Sequence, residues 1–284
     1  MQSEAWFVDV SAWDPETPQW ERAMALLPTH EQQQVQKFVF AKDQRLALAS
    51  LLLQRQLIRS IFHTPWAEIC IARTPEGKPY WQRSSSEPVP RHWNYNVSHH
   101  GTVVAIAAHP THLVGVDVMQ LSERPRRREQ DPSSEHFFRA FTDHFTPLEW
   151  QYIHRASNDD ARFHAFYRLW SLKEAYIKAI GIGLGFELLR AEFTSIDASE
   201  TEWSMRLDGV RASGWTFRSV HVQGSTNREP HVISIALGPV AAIWNANTSS
   251  IFPLDQAQDA AASTTESPGD SQWQEKTLDD LLQI

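Results

Sequence analysis

The sequence predicts an α+β fold on three observations. Helical and strand-forming stretches come in segregated runs rather than strict alternation. The order strand, long helix, strands occurs twice, over 1–108 and 112–244, which suggests a structural repeat although the residues show no self-similarity. The composition is globular: of 284 residues 42% are hydrophobic and 21% charged, and 12 Trp and 14 Phe supply bulky core material.

Each element has its own signal. Residues 6–13 read as an edge strand ended by Asp14-Pro15. From Thr29 to His63 the pattern is helical, with Phe38, Leu46, Leu53 and Leu57 near one face. Ile69 to Ala72 reads as a short strand, and Thr74-Pro75-Glu76-Gly77-Lys78-Pro79 as a turn. Asn94 to Ser98, Val103 to Ala108 and Leu113 to Met119 read as three strands. The polar stretch Ser122 to Ser134, with Arg124, Arg126, Arg127 and Arg128, reads as an exposed loop. Helices are expected over 134–156 and 160–180. Ser157-Asn158-Asp159 suits the N-cap of the second, and Gly181, Gly183 and Gly185 end it. Strands dominate from Ala191 to about Trp244. Beyond 250 the chain is rich in Ser, Thr, Asp and Gln and reads as a flexible acidic tail. The expected divisions are 1–111, 112–249 and 250–284.

Charge and cysteine content narrow the function. The net charge of −8 disfavours a nucleic-acid coat, which needs a positive field. Residues 250–284 hold seven acids against Lys276, so most of this acidity belongs to the tail and the body is nearly neutral. The single cysteine, Cys70, rules out an internal disulfide framework. Met1-Gln2-Ser3-Glu4 lacks a basic, apolar leader, and no run approaches the ~20 apolar residues of a membrane span. A cytoplasmic, monomeric protein without nucleic-acid or membrane partners is expected.

Three segments concentrate chemistry: Asn94 to Gly101, Gly115 to Met119, and Trp170 to Gly181. Asp117 interrupts an apolar strand, where a carboxylate needs a partner, a metal or a place at the strand's mouth. Glu174 and Lys178 lie one helical turn apart. They make either a surface pair or, given Trp170 and Ile177 near the same face, a partly buried one. Asp117 and Glu174 together suit one hard divalent cation completed by phosphate oxygens and water. His99 is either a structural hydrogen-bonding group or a phosphate ligand beside the Arg73/Lys78 turn. Gly181 to Gly185 is not a phosphate-binding loop, because no Gly-Lys-Ser/Thr follows. A zinc hydrolase built on His92, His99, His100, His109 and His112 lacks a His-Glu-x-x-His helix and a Cys pair.

Taken together, Asn-x-Ser-His-x-Gly (Asn96 to Gly101), Gly-x-Asp (Gly115 to Asp117) and Trp-x-x-Lys-Glu-Ala (Trp170 to Ala175) resemble the 4′-phosphopantetheinyl transferase superfamily, in its surfactin-type branch. The resemblance runs from Phe38-Val39-Phe40-Ala41-Lys42-Asp43 to Glu187, more weakly to residue 240, and includes Phe145 to Trp150. It implies a pseudo-dimer of two α+β halves with coenzyme A in the cleft between them. It implies transfer of the 4′-phosphopantetheine arm of coenzyme A to a serine of an apo acyl, peptidyl or aminoadipate reductase-type carrier, releasing adenosine 3′,5′-bisphosphate. By the same resemblance Asp117 and Glu174 match the Mg²⁺ carboxylates, Glu174 a general base, and Lys178 a coenzyme A phosphate contact. Arg73, Thr74, Gly77 and Lys78 match the nucleotide-binding turn, and Asn96, Val97, Ser98 and His99 the strand end that holds coenzyme A. Met119 stands where many members carry a third acid, as in the aminoadipate-type members. His100 replaces Gln or Ser and is expected near Glu174. Gln34 replaces a basic contact for which Lys37 could compensate. The four arginines suggest a dock for an acidic carrier. The alternative is a catalytically silent coenzyme A- or carrier-binding protein, which Gln34 and His100 favour and the retained Asp117, Glu174 and Lys178 oppose.

Overall fold

The computed structural model describes residues 3–83, 89–90, 92–124, 134–222, 229–242 and 272–283. The first half contains β1 (Glu4–Asp9), α1 (Pro18–Ala25), α2 (Thr29–Gln36), α3 (Ala41–Phe62), β2 (Ile71–Arg73), β3 (Pro79–Trp81), β4 (Asn94–His100) and β5 (Val103–His109). The second contains β6 (His112–Gln120), α4 (Ser134–Arg139), α5 (Pro147–His154), α6 (Asp159–Ile180), β7 (Ala191–Ser195), β8 (Glu202–Leu207), β9 (Val210–Arg211), β10 (Thr216–Val222) and β11 (His231–Pro239). A last segment, β12 (Gln274–Glu275) and α7 (Leu278–Leu282), returns to the first half.

The repeat is visible in the topology. One sheet runs β12-β1-β5-β4 and the other β6-β11-β10-β8-β7, so β1-β5-β4 is mirrored by β6-β11-β10. The helices repeat as well: α2 and α5 have 8 residues each, α3 and α6 have 22. Each half ties its helix pair with a buried ion pair at matching places. Glu31 and Glu149 are both third in the short helix, while Arg55 and Lys173 are both fifteenth in the long one. Arg55 donates to both Glu31 carboxylate oxygens at 2.8 Å. Lys173 Nζ lies 2.9 Å from Glu149 Oε2. Burial pushes Glu149 up and Lys173 down, and their mutual attraction opposes both shifts.

Each half has its own core, including Leu52, Leu53 and Ile106 in the first and Phe145, Phe166 and Leu172 in the second. A third core joins the sheets through Phe7, Val103, Ala105, Val114, Val116, Ile233 and Ile235. The alternating Val residues of β6 suit a strand covered on both faces.

Four expectations change. The single helical stretch over 29–63 is two helices, broken where Phe38, Val39 and Phe40 are exposed. Those side chains therefore do not continue the buried face of Leu46, Leu53 and Leu57. Residues 134–156 likewise divide into α4 and α5, because Thr146 caps a new helix with a capping box to Glu149. The first strand ends at Asp9 and is interior, since β12 pairs with it in parallel. Residues 272–283 are accordingly not a flexible tail. Lys276 N–H donates to the Phe7 carbonyl at 2.8 Å, and Leu278 and Leu281 are buried in the first core. Two leucines at i,i+3 carry that docking, too few to stand out of a polar composition. Residues 250–271 and Arg126, Arg127 and Arg128 lie outside the described residues. Arg124 is anchored, pairing with Asp160 at 2.7 Å and lying over the Phe163 ring.

Candidate active site

The site forms where β4 of the first half meets β6 and α6 of the second. Helix α6 is set up by its ends. The Asn158 side chain accepts the Ala161 N–H at 2.9 Å, Asp159 and Asp160 lie in the first turn, and Lys178 lies in the last. Gly181 closes it in the left-handed region, φ 76°, with its N–H on the Ile177 carbonyl. Helix α6 meets β6 at Gly115. A Cβ there would sit 1.9 Å from the Ala175 carbonyl oxygen and 2.9 Å from Ala179 Cβ. The missing side chain thus brings the helix backbone onto the strand, two residues from Asp117.

That approach assembles the charged groups. Lys178 Nζ lies 2.5 Å from Asp117 Oδ1 and 2.8 Å from Ser98 Oγ. Ser98 Oγ donates to Asp117 Oδ1 at 3.2 Å. The Asp117 carboxylate is buried, and its Oδ2 has no hydrogen-bond partner. A buried carboxylate oxygen left free in this way is costly, and suited to a cation. Glu174 is half-buried beside it. Burial first, and then the Asp117 charge, raise its pKa, while Lys178 lowers it. Among the described residues no group of three or more His, Cys, Asp or Glu is placed to share a metal ion. The five histidines of the hydrolase reading therefore do not converge.

The expected coenzyme A residues fall into two sets. His99 is exposed at the end of β4. Desolvation by the surrounding protein lowers its pKa, and Lys178, His100 and Arg73 add repulsion that Asp43 partly offsets. Arg73 is exposed, with Nη1 on the Gly77 carbonyl at 2.8 Å. Thr74 and Lys78 close the β2–β3 turn by backbone bonding, Thr74 N–H to the Lys78 carbonyl at 2.9 Å. Lys78 itself turns inward. It is buried, with Nζ 3.0 Å from the Val114 carbonyl and 3.3 Å from the Ala179 carbonyl at the C-terminal end of α6, and burial lowers its pKa to about 7. Asn96 is buried, with Oδ1 accepting the Val116 N–H at 2.8 Å, and Val97 pairs with Ile106 in the ladder. His100 is not bonded to Glu174 as expected: Nδ1 accepts the Gln120 N–H at 2.8 Å and Nε2 lies 3.0 Å from Glu123. The β4–β5 hairpin carries it to the β6 end of the seam. Gln34 and Lys37 are both exposed.

The lysine of the Trp-x-x-Lys-Glu-Ala segment is a support rather than a site residue. Lys173 faces away into the second core, where it holds Glu149 and the Leu188 and Ala191 carbonyls. Gly115 is the other supporting residue, and its signal was a glycine inside a strand.

A family model described as "4′-phosphopantetheinyl transferase, N-terminal" matches residues 11–111, and one for the "4′-phosphopantetheinyl transferase superfamily" matches residues 113–236. The chain is 37% identical over 246 residues to the L-aminoadipate-semialdehyde dehydrogenase-phosphopantetheinyl transferase of Xenopus laevis, covering 84% of this chain and 78% of that one. The chain belongs to the 4′-phosphopantetheinyl transferase superfamily. The transferase is also 34% identical over 243 residues to the Homo sapiens protein of the same name, covering 84% and 75% of the two chains. It is 38% identical over 238 residues to the phosphopantetheinyl transferase of Thraustochytrium sp., covering 82% and 78%. No helix among its described residues is long and apolar enough to cross a membrane.

Proposed function

We propose that the transferase moves 4′-phosphopantetheine from coenzyme A to the serine of an apo carrier domain of the aminoadipate reductase type, using Asp117, Glu174 and Lys178. The carrier serine oxygen forms a bond to the phosphorus that bears the pantetheine arm. The bond from that phosphorus to the bridging oxygen breaks, and adenosine 3′,5′-bisphosphate leaves. The observation that carries this reading is the free Oδ2 of the buried Asp117, next to the half-buried Glu174, whose pKa is raised by burial and then by the Asp117 charge.

Asp117 and Glu174 fit one Mg²⁺, with the remaining positions left to pyrophosphate oxygens and water. When bound, the ion supplies charge stabilisation for the phosphoryl group and the leaving group. Glu174, half-buried beside Asp117, is suited to take the serine proton directly or through a water. Lys178 and the exposed Arg73 and His99 supply donors for the phosphates of the donor molecule. No nucleophile of the protein is needed, which leaves the exposed Cys70 outside the chemistry.

Mass spectrometry of an apo carrier domain incubated with coenzyme A, Mg²⁺ and the transferase tests this directly. The carrier should gain one phosphopantetheine, and Asp117→Ala and Glu174→Ala should each abolish the gain. An unmodified carrier with the wild-type protein, or full activity in either variant, overturns the assignment.

A further inference from the structure

Strands β4 and β6 are the facing end strands of two different sheets, and no backbone ladder joins them. Side chains join them instead. Asn94 Oδ1 accepts the Val114 N–H at 3.0 Å, Asn96 Oδ1 accepts the Val116 N–H at 2.8 Å, and His100 Nδ1 accepts the Gln120 N–H at 2.8 Å. The three acceptors have the even spacing of one face of β4, and the three donors that of one edge of β6. The remaining even residue, Ser98, lies between Asn96 and His100 and donates to Asp117 Oδ1 at 3.2 Å. The contact that matters for the site is thus bracketed on both sides by bonds of the same side-chain ladder.

The ladder answers a physical need. The amides of an end strand buried against another domain must find acceptors. A two-atom reach from Cβ supplies them without bringing the backbones to ladder distance. It also sets the relative height of the halves, because a slip by one residue would unpair all three amides. Ser98 and His99 belong to one half, and Asp117, Glu174 and Lys178 to the other, so this register is the register of the site. At its end the ladder is clamped: the Thr102 N–H reaches His231 Nε2 at 3.4 Å, and the Leu121 N–H reaches the Pro230 carbonyl at 2.7 Å.

We propose that Asn94, Asn96 and His100 are positioning residues that hold Asp117 in register with Ser98 across the seam, so that turnover depends on them although their acceptor atoms are spent on β6. The role rests on the transfer reading given above.

His100 gives the cleaner test, since it is only half-buried and Asn offers an oxygen at the position of Nδ1. In His100→Phe the ring shape stays and the acceptor goes; in His100→Asn the acceptor stays and the ring goes. With an apo carrier domain, coenzyme A and Mg²⁺, kcat should fall by about tenfold or more in His100→Phe while KM for coenzyme A stays within about threefold. His100→Asn should restore kcat to within about threefold of wild type. Hydrogen exchange by NMR, read without substrates, should show the Gln120 amide protected in wild type and His100→Asn and exposed in His100→Phe. Wild-type kcat in His100→Phe, or a His100→Asn as impaired as His100→Phe, overturns the role. A wild-type protein that modifies no carrier would overturn the transfer reading and this role with it, whereas an active wild type beside an unaffected His100→Phe overturns this role alone.

Discussion

Replacing Gly115 by alanine should separate the two carboxylate-bearing elements. The new Cβ would lie 1.9 Å from the Ala175 carbonyl oxygen, and both atoms belong to backbones that cannot rotate away. Reaching ordinary contact requires α6 to retreat from β6 by about 1.5 Å. The Lys178–Asp117 pair, now 2.5 Å, would open to about 4 Å, and Glu174 would move with it. Overpacking of this kind costs up to ~3 kcal/mol, which corresponds to a Tm lower by roughly 6–10 °C for a chain of this size. A misplacement of more than 1 Å at the reacting groups is expected to cost about 100-fold in kcat. The assay is carrier modification followed by mass spectrometry at saturating coenzyme A, alongside thermal unfolding. Leu281→Ala is the matched control: it empties a fully buried position in the first core, so it should lower Tm comparably while kcat at 20–25 °C, roughly ambient temperature, stays near wild type. A Gly115→Ala protein with kcat within about threefold of wild type would refute the close-approach argument, as would an equal loss of kcat in Leu281→Ala.

Three further outcomes follow from the charges and the returning segment. The Glu174 pKa is raised in the folded protein, so in chelator the folded state binds the extra proton and stability falls as pH rises through the window above the ordinary carboxylate range. Glu174→Gln should therefore raise Tm at neutral pH and flatten that slope; an unchanged slope in thermal scans across pH refutes the raised pKa of the half-buried Glu174. Lys173→Met leaves Glu149 in a dry core without its cation and should cost ~3–5 kcal/mol in urea unfolding, with part recovered in Glu149→Gln/Lys173→Met; a loss below about 1 kcal/mol contradicts the buried pair. Removal of residues 272–284 should destabilise the first half by at least ~3 kcal/mol, since it strips β1 of a partner and uncovers two leucine sites; an unaltered urea midpoint would show that the segment is dispensable.

Much of the second half was legible because its signals are local. Asn158 marks the start of α6 and Gly181 its end. The structure brings Asp117, Glu174, Lys178, Ser98 and His99 near one another across the seam. Three other assignments depended on direction rather than identity. Lys78 follows an exposed turn, yet it caps α6 from the other half. Lys173 stands beside Glu174 in the same motif, but neighbours on a helix point about 100° apart, so one faces the cleft and the other the core. His100 follows His99 in a strand, where successive side chains alternate, and so it bonds to β6 instead of the cleft.

The sequence by itself determined the α+β class, the two-part order, the caps of α6 and the family to which the residues belong. These rest on periodicity, turn chemistry and residue types, all readable along one strand of text. Only the tertiary structure decided that Gly115 admits α6, that Asn94, Asn96 and His100 stitch the halves, and that residues 272–283 complete the first sheet. Each of these is a contact between segments remote in the chain, and its energy depends on distances and directions that no local pattern encodes.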